Sequence, residues 1–281
     1  MGTLYLVATP IGNLEDISLR ALRILKQVDL IACEDTRHSA RLLSHYGIST
    51  PRESHHEHNE ATHTPRLIEM LHAGREVALI SDAGIPLVSD PGFLLVTACR
   101  KEGIPVVIIP GPSAVVTALA GSGLPADTFY FAGFLPPRAH ARRRRLAELS
   151  VIRTTLILFE APHRILASLQ DMVDTLGSRQ ACLARELTKI HEEWLKGTLP
   201  EILESLQARP SIKGEITLVV KGDETALEET ASSQNISEHL AEVMLQTGLP
   251  PNEALKSVAR QHGISRREAY RMLLREKDKQ R

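Results

Sequence analysis

One stretch constrains the fold more than any other: Ser81-Asp82-Ala83-Gly84-Ile85-Pro86-Leu87-Val88-Ser89-Asp90-Pro91-Gly92. It follows residues 76–80, a short β-branched apolar run that reads as a buried parallel strand. It precedes residues 93–100, an apolar run that reads as a helix with Asp90 as N-cap and Pro91 at the first helical position. A strand running into a Gly/Pro loop and then a helix marks the carboxyl edge of a parallel sheet, where open α/β folds bind ligands. The pattern recurs. Strand 4–8 runs into Thr9-Pro10-Ile11-Gly12-Asn13-Leu14, and strand 104–109 into Pro110-Gly111-Pro112-Ser113-Ala114. Alternation of strand and helix places these loops on one sheet edge.

Two familiar versions of such an edge are excluded. Gly12 lacks the companion glycines of a dinucleotide fingerprint, although Glu34 and Asp35 follow the second strand at a suggestive distance. No GxxxxGK[ST] loop is present. With 281 residues and 43% hydrophobic content, the chain is long enough for roughly two domains with sizeable cores. Its net charge of −1 gives no bulk attraction to nucleic acid, so any such binding rests on local patches. Cys33, Cys99 and Cys182 lie in apolar contexts without a CxxC pair, which predicts buried reduced thiols and no zinc site. No leader pattern opens the chain and no apolar run reaches membrane-spanning length, so a cytoplasmic protein is expected.

Ser18 is placed to cap a helix to Lys26, and a helix follows Glu34-Asp35-Thr36-Arg37 as far as Tyr46. Residues 51–64, with His55, His56, His58 and His63, read as a solvated loop over a cleft, and a helix is expected over 66–73. Residues 129–135 open a second, mixed sheet, with further strands at 154–159, 181–187, 192–196 and 215–221. Arg138, Arg142, Arg143, Arg144 and Arg145 put five arginines in eight positions, a concentration suited to phosphate. Residues 222–235 are acidic and small and read as a linker. Helices over 236–246, 251–262 and 265–276 follow. Ala254, Leu255, Val258 and Ala259 form one apolar stripe, and Ala269, Tyr270, Leu273 and Leu274 another, in helix-turn-helix order. Residues 236–281 hold nine Lys/Arg against six Asp/Glu, with Arg266, Arg267, Arg271 and Arg275 near one face of the last helix, which favours nucleic-acid docking over a packing bundle.

Those three loops, together with Glu34-Asp35-Thr36-Arg37, Phe159-Glu160-Ala161-Pro162-His163-Arg164 and Ala184-Arg185-Glu186-Leu187-Thr188-Lys189, occur in an order that resembles the tetrapyrrole methylase superfamily. Within it, the likeness is to the branch that modifies ribosomal RNA. The resemblance spans about residues 3–277 and implies two α/β subdomains of the class III methyltransferase type with a cleft for S-adenosylmethionine (SAM) between them. The implied divisions are 1–122, 123–222, a linker at 223–235, and a helical RNA-docking domain at 236–281. It also implies a homodimer, and methylation of the ribose 2′-hydroxyl of a decoding-centre cytidine in 16S rRNA of the small ribosomal subunit.

Carried onto this sequence, the SAM contacts fall on Ile11, Gly12, Asp82, Ala83, Gly84, Ile85, Ser113, Ala114, Phe159, Glu160 and Ala161. Backbone amides of tight loops suit the cofactor's carboxylate, and carbonyls or Asp82 suit its cations. Removal of a proton from an alcohol asks for a base. Glu186, Lys189, Glu34 and Asp35 are candidates, the first two preferred for their place at a strand end facing the loops. Lys189 qualifies only if its pKa is lowered. Arg37, His163, Arg164 and Arg185 are candidates to hold phosphate or ribose. Two rival readings stay open: a methylase of a small tetrapyrrole, against which the basic block and the tail argue, and a non-enzymatic ligand-sensing nucleic-acid binder.

Overall fold

The computed structural model describes residues 1–223, 236–262 and 264–279, with side chains described as far as Leu273; almost all of the expected linker lies outside the described residues. The chain divides into two compact units, Met1–Gly222 and Asp223–Arg281.

The first unit carries two five-stranded sheets. Strands β1 (Leu4–Val7), β2 (Leu30–Cys33), β3 (Arg52–Ser54), β4 (Val77–Ile80) and β5 (Val106–Ile109) form the first, in the order β3-β2-β4-β1-β5. Every pairing in it is parallel. β2 and β4 are buried along their whole length, as a sheet with both faces covered requires. The covering helices are α1 (Leu19–Gln27), α2 (Thr36–His45), α3 (Glu60–His72), α4 (Phe93–Lys101) and α5 (Ala114–Ser122). Ser18 caps α1 as expected, its hydroxyl accepting from the Ala21 amide at 3.1 Å. β1 and β4 are neighbours whose onward connections leave in opposite directions, to β2 and to β5, which opens a crevice at their carboxyl ends.

The second sheet is mixed. β6 (Phe129–Phe134) pairs parallel with β7 (Thr155–Glu160), and β10 (Ile216–Val220), β8 (Gln180–Arg185) and β9 (Glu193–Thr198) continue antiparallel. Helices α6 (Ala139–Ser150), α7 (Ile165–Leu176) and α8 (Leu199–Gln207) close one core with it, built on Leu146, Leu158, Leu169, Leu183, Leu206 and Leu218. On the other face lies α5, whose Val115, Ala118 and Leu119 pack with Ile157, Cys182 and Val219. Gly121 permits this approach: a Cβ there would lie 2.2 Å from the Trp194 ring. Helix α5 therefore belongs to both layers and carries the loop that precedes it to the second sheet.

Two expectations fail in instructive ways. Residues 51–64 are not a solvated loop; they hold β3, the start of α3 and a fully buried His55. A three-residue strand is too short to show alternation, and the helix expected over 66–73 starts earlier, at Glu60, with Pro65 inside it. Nor does Asp90 cap α4. The N-cap is Gly92, at φ 122°, and the orphan amides of Gly92 and Leu94 donate to Glu60 Oε1 at 3.1 and 2.7 Å. That cap comes from α3, and no local signal announces it.

The second unit is described by three helices, Ile236–Thr247, Pro251–Gln261 and Arg266–Lys279. Ala254, Leu255, Val258 and Ala259 are buried together with Ile236, Val243, Ala269 and Leu273. Ser265 and Glu268 form a reciprocal cap: each side chain accepts from the other's amide, at 3.3 and 2.9 Å. Tyr270, expected in the apolar stripe, is instead 53% exposed, on the same helix as the exposed Arg266, Arg267 and Arg271. The side chains of Leu274 and Arg275 lie outside the described residues.

Candidate active site

The three Gly/Pro loops meet at Gly84. Thr9 and Gly84 exchange backbone hydrogen bonds, at 2.9 and 3.1 Å, and so tie the loop after β1 to the loop after β4. A Cβ on Gly84 would sit 3.5 Å from Ile11 Cγ2 and 3.7 Å from the Pro112 carbonyl. Its φ of +84° is a conformation that glycine adopts without strain. Leu87 and Ser89, at φ 73° and 69°, hold the same left-handed region at a cost, as do Glu186 and Thr188 at 53° and 65°. Such strain in two facing loops is typical of ligand-clamping segments.

Around this junction lies a cavity of about 370 Å³, within the range of small-ligand sites. The first sheet contributes Ile11, the loop from Asp82 to Ile85, Ser113 and Ala114 to its wall. The second contributes Phe159, Glu160 and Ala161. Gly12 stands apart: it lines a neighbouring cavity instead, and packs so tightly on Thr188 and Lys189 that a Cβ would meet them at 2.7 and 2.6 Å. The Asn13 amide donates to Thr188 Oγ1 at 3.0 Å, closing one side of the cleft. Asp90, Ser89, Phe134, Glu215 and Thr217 also line the main cavity, and sequence reasoning missed them as wall residues. Asp90 was legible as a carboxylate in a rigid loop. The others reach the wall only because the second sheet lies where it does.

The carboxylates divide by environment. Asp82 Oδ1 accepts from the Asp35 amide at 3.2 Å, which ties the β2 edge to the central loop. Asp35 itself caps α2 and pairs with Arg37 at 3.3 Å. The Arg37 amide and guanidinium hold its carboxyl below the usual range, so it is a poor proton acceptor. Glu34, half-buried, is pushed up by burial and by the charge of Asp82. Burial pushes Asp90 up to about 7, with Glu34 and Asp82 adding to the shift and Ser81 opposing it.

Lys189 does not meet the condition set for a base. Burial alone lowers its pKa, but Glu186 at 2.8 Å and Glu215 at 3.1 Å outweigh that and raise it, so it stays an ammonium. Glu186, hydrogen-bonded first by Lys189 and then by the Glu215 amide, is held low.

Glu160 is buried. Its Oε1 accepts from the Ala161 amide at 2.8 Å and from Arg164, while Oε2 has no hydrogen-bond partner among the described residues. The Arg164 guanidinium also stands 6.0 Å from the centre of the Phe134 ring. Arg185 is engaged by Glu193, which Arg209 and Arg185 together hold down at about 2 despite partial burial. His163 is exposed. In the arginine block, Arg142 is buried and bonded to Asp171 Oδ2 at 2.7 Å, so it pins α6 to α7 and is closed to phosphate. Arg143 shares that carboxylate from the surface, and Arg144 and Arg145 reach Glu148. Arg138 is exposed.

Two α/β layers with a loop-built cavity between them, sided by Phe134 and Phe159 and lined by Asp82, Asp90 and Glu160, form a site with room and mixed chemistry for a small organic ligand. Residues 3–203 match the Tetrapyrrole (Corrin/Porphyrin) Methylases, and the chain belongs to that family. It is a SAM-dependent methyltransferase. Among its relatives are proteins named "Ribosomal RNA small subunit methyltransferase I". The one from Halalkalibacterium halodurans is 47% identical over 96% of this chain and 93% of its own length. The one from Mesorhizobium japonicum is 48% identical, with 98% and 92% covered. Among solved structures, a uroporphyrin-III-C-methyltransferase from Thermus thermophilus shares the fold at TM-score 0.57 and 24% identity, covering 79% of this chain and 94% of its own. A diphthine synthase does so at TM-score 0.60 and 14% identity, covering 78% and 90%.

The residues present fit the cofactor. The unpartnered, buried Glu160 Oε2 lines the cavity and suits an amino group, Phe134 and Phe159 offer ring faces, and the turns at Gly84 and Ser113 let backbone come close. Among the described residues there is no cluster of His, Cys, Asp or Glu able to hold a metal ion.

Proposed function

We propose that this chain methylates the ribose 2′-hydroxyl of a cytidine in the decoding centre of 16S rRNA, acting on the small ribosomal subunit in the cytoplasm. Length carries this reading. The RNA-methylating relatives match 96–98% of the chain, helical second unit included, whereas the uroporphyrin methylase fold matches 79%. About a fifth of the chain is thus superfluous to a small-molecule methylase. In that remainder, Arg266, Arg267, Tyr270 and Arg271 are exposed on one helix, the mix of cations and aromatic that RNA docking uses. Arg138 and the exposed faces of Arg143, Arg144 and Arg145 supply further positive surface.

When bound, the cofactor supplies a methyl group on a sulfonium, already activated for displacement. The protein's task is alignment and proton removal. Ile11, Ala83, Gly84, Ile85, Ser113 and Ala114 would hold the cofactor from the first sheet, and Phe159, Glu160 and Ala161 from the second. Asp82 is the carboxylate common to this cavity and its neighbour, along with Glu215. With Lys189 charged and Asp35 and Glu186 held low, the acceptors left are Asp82 and Asp90 on the cavity wall and Glu34, whose charge couples to both.

The active form is a homodimer. Ile108 on the edge strand β5, Phe93 and Leu94 on α4 beside it, and Val116 on α5 are large apolar side chains left exposed, a face that a second copy would cover. Sedimentation of the protein and of Ile108→Lys tests that part.

Incubating the protein with labelled SAM and isolated small subunits, then digesting the RNA to nucleosides, tests the chemistry. Label in 2′-O-methylcytidine supports the proposal; label on a base, or none on RNA, ends it.

A further inference from the structure

A second cavity, of about 490 Å³, adjoins the first. The two share Ile11, Asp82, Ala83 and Glu215, so they meet along a common border. The rest of the second cavity is built by the loop after β1, by one face of α2, and by Lys189. We propose that it is the subsite for the acceptor nucleotide, taking one ribonucleotide of an RNA strand, with Arg41 as the phosphate contact. This rests on the RNA-methylating function above and adds the place where its substrate sits.

Charge selects the ligand. Lys189 is neutralised by Glu186 and Glu215, and Arg37, one turn earlier on α2, is tied to Asp35. Arg41 is exposed and has no ion pair among the described residues; His38 lies beside it on the same face. Arg41 is thus the permanent cation of this lining that no carboxylate pairs among the described residues, and it matches the single charge of a phosphodiester, while Asp82 and Glu215 on the same lining would repel a ligand rich in carboxylates. A porphyrin-like macrocycle bearing many carboxylates would require several.

The remaining surface agrees. Pro10, Leu14 and Leu42 give apolar area against which a base can lie, and Asp82 offers the common wall a carboxylate for a ribose hydroxyl. A nucleotide seated here would have its sugar next to the first cavity. Helix α2 presents His38, Arg41 and Leu42 together because residues three and four apart share a face.

The test uses the full-length protein and isolated, unmethylated small subunits. Arg41→Ala, Arg41→Lys and Arg20→Ala, an exposed arginine on α1 outside both cavities, are compared by filter binding to subunits, by steady-state methyl transfer and by calorimetry with SAM. Arg41→Ala should weaken subunit binding and raise KM by about tenfold, as expected on losing one charge-assisted phosphate contact, while kcat and SAM affinity hold. Arg41→Lys should recover part of the loss, and Arg20→Ala should match wild type. Unchanged binding and KM in Arg41→Ala would overturn the subsite and leave the RNA reading intact. An equal loss in Arg20→Ala would also overturn it, because the effect would then be bulk charge. Failure of the wild type to methylate RNA would remove both.

Discussion

The two sheets reach the same cavity by different means. The first sheet offers turns: the loops that carry Ile11, Gly84 and Ser113 line it, and the Thr9–Gly84 hydrogen bonds join two of them directly. The second offers side chains locked by charge: Glu160, bound to Arg164, and Glu215, paired with Lys189, line the cavity, and the same sheet holds Glu193 between Arg185 and Arg209 outside that lining. A wall of backbone keeps its shape whatever the pH. A wall of ion pairs keeps its shape only while its members are charged, but here it also presents aromatic rings, Phe134 and Phe159, that the first-sheet loops lack. A cofactor that carries both charge and a flat ring would draw on both.

The largest expected effect strikes the second layer. Asp171→Ala leaves Arg142 buried and unpaired, and such losses cost about 3–5 kcal/mol, so thermal unfolding should fall sharply. A small change would mean that the ion-pair layer is less committed than its burial implies. Next is the backbone wall. Gly84→Val forces a β-branched residue to φ +84° and should cost about 1–3 kcal/mol at the loop, weakening SAM binding in calorimetry by roughly tenfold to a hundredfold. Unchanged affinity would remove the central loop from the site.

A third test uses pH on the first layer, where Asp90 is the exception to the backbone rule. Its pKa is raised in the folded state to about 7 from an ordinary 3.8. The folded state therefore binds its proton more tightly, so this group's stabilising contribution is complete below about pH 4 and is lost as pH rises towards 7. Asp90→Asn should match wild type in melting temperature at about pH 3.5 and exceed it at about pH 8, by roughly 2–4 °C for each kcal/mol relieved. Equal melting at both pH values would place Asp90 in ordinary solvent. The smallest effect is expected at Lys189. If it acts as a cation between two carboxylates, Lys189→Arg should retain methyl transfer within about threefold, because guanidinium serves the same pairing. Loss of the transfer step with SAM binding intact would restore Lys189 as a base.

The same contrast explains what could be read from the chain. Loops bounded by Gly and Pro after β-branched runs announce a sheet edge, because turn chemistry is local; the wall residues from Asp82 to Ile85 and at Ser113 were legible for that reason. The second-sheet motif around Phe159-Glu160-Ala161 was legible through its resemblance to a family, while Phe134 and Thr217 carried no local signal. The arginine run shows the limit most clearly. Composition cannot say that Arg142 turns inward to Asp171 while Arg144 stays at the surface.

By itself, the sequence determined the alternation of strand, tight loop and helix, the mixed second sheet, the helical tail and the set of loops able to hold a cofactor. These follow from hydrophobic period and from residues whose backbone freedom is unusual, both properties of neighbours in the chain. Tertiary structure alone decided which charges are spent on one another, that Glu60 and not Asp90 caps α4, that His55 is buried, and that Lys189 is held as a cation. Each of these depends on a group brought from a distant part of the chain, and charge and burial are set by what arrives in space.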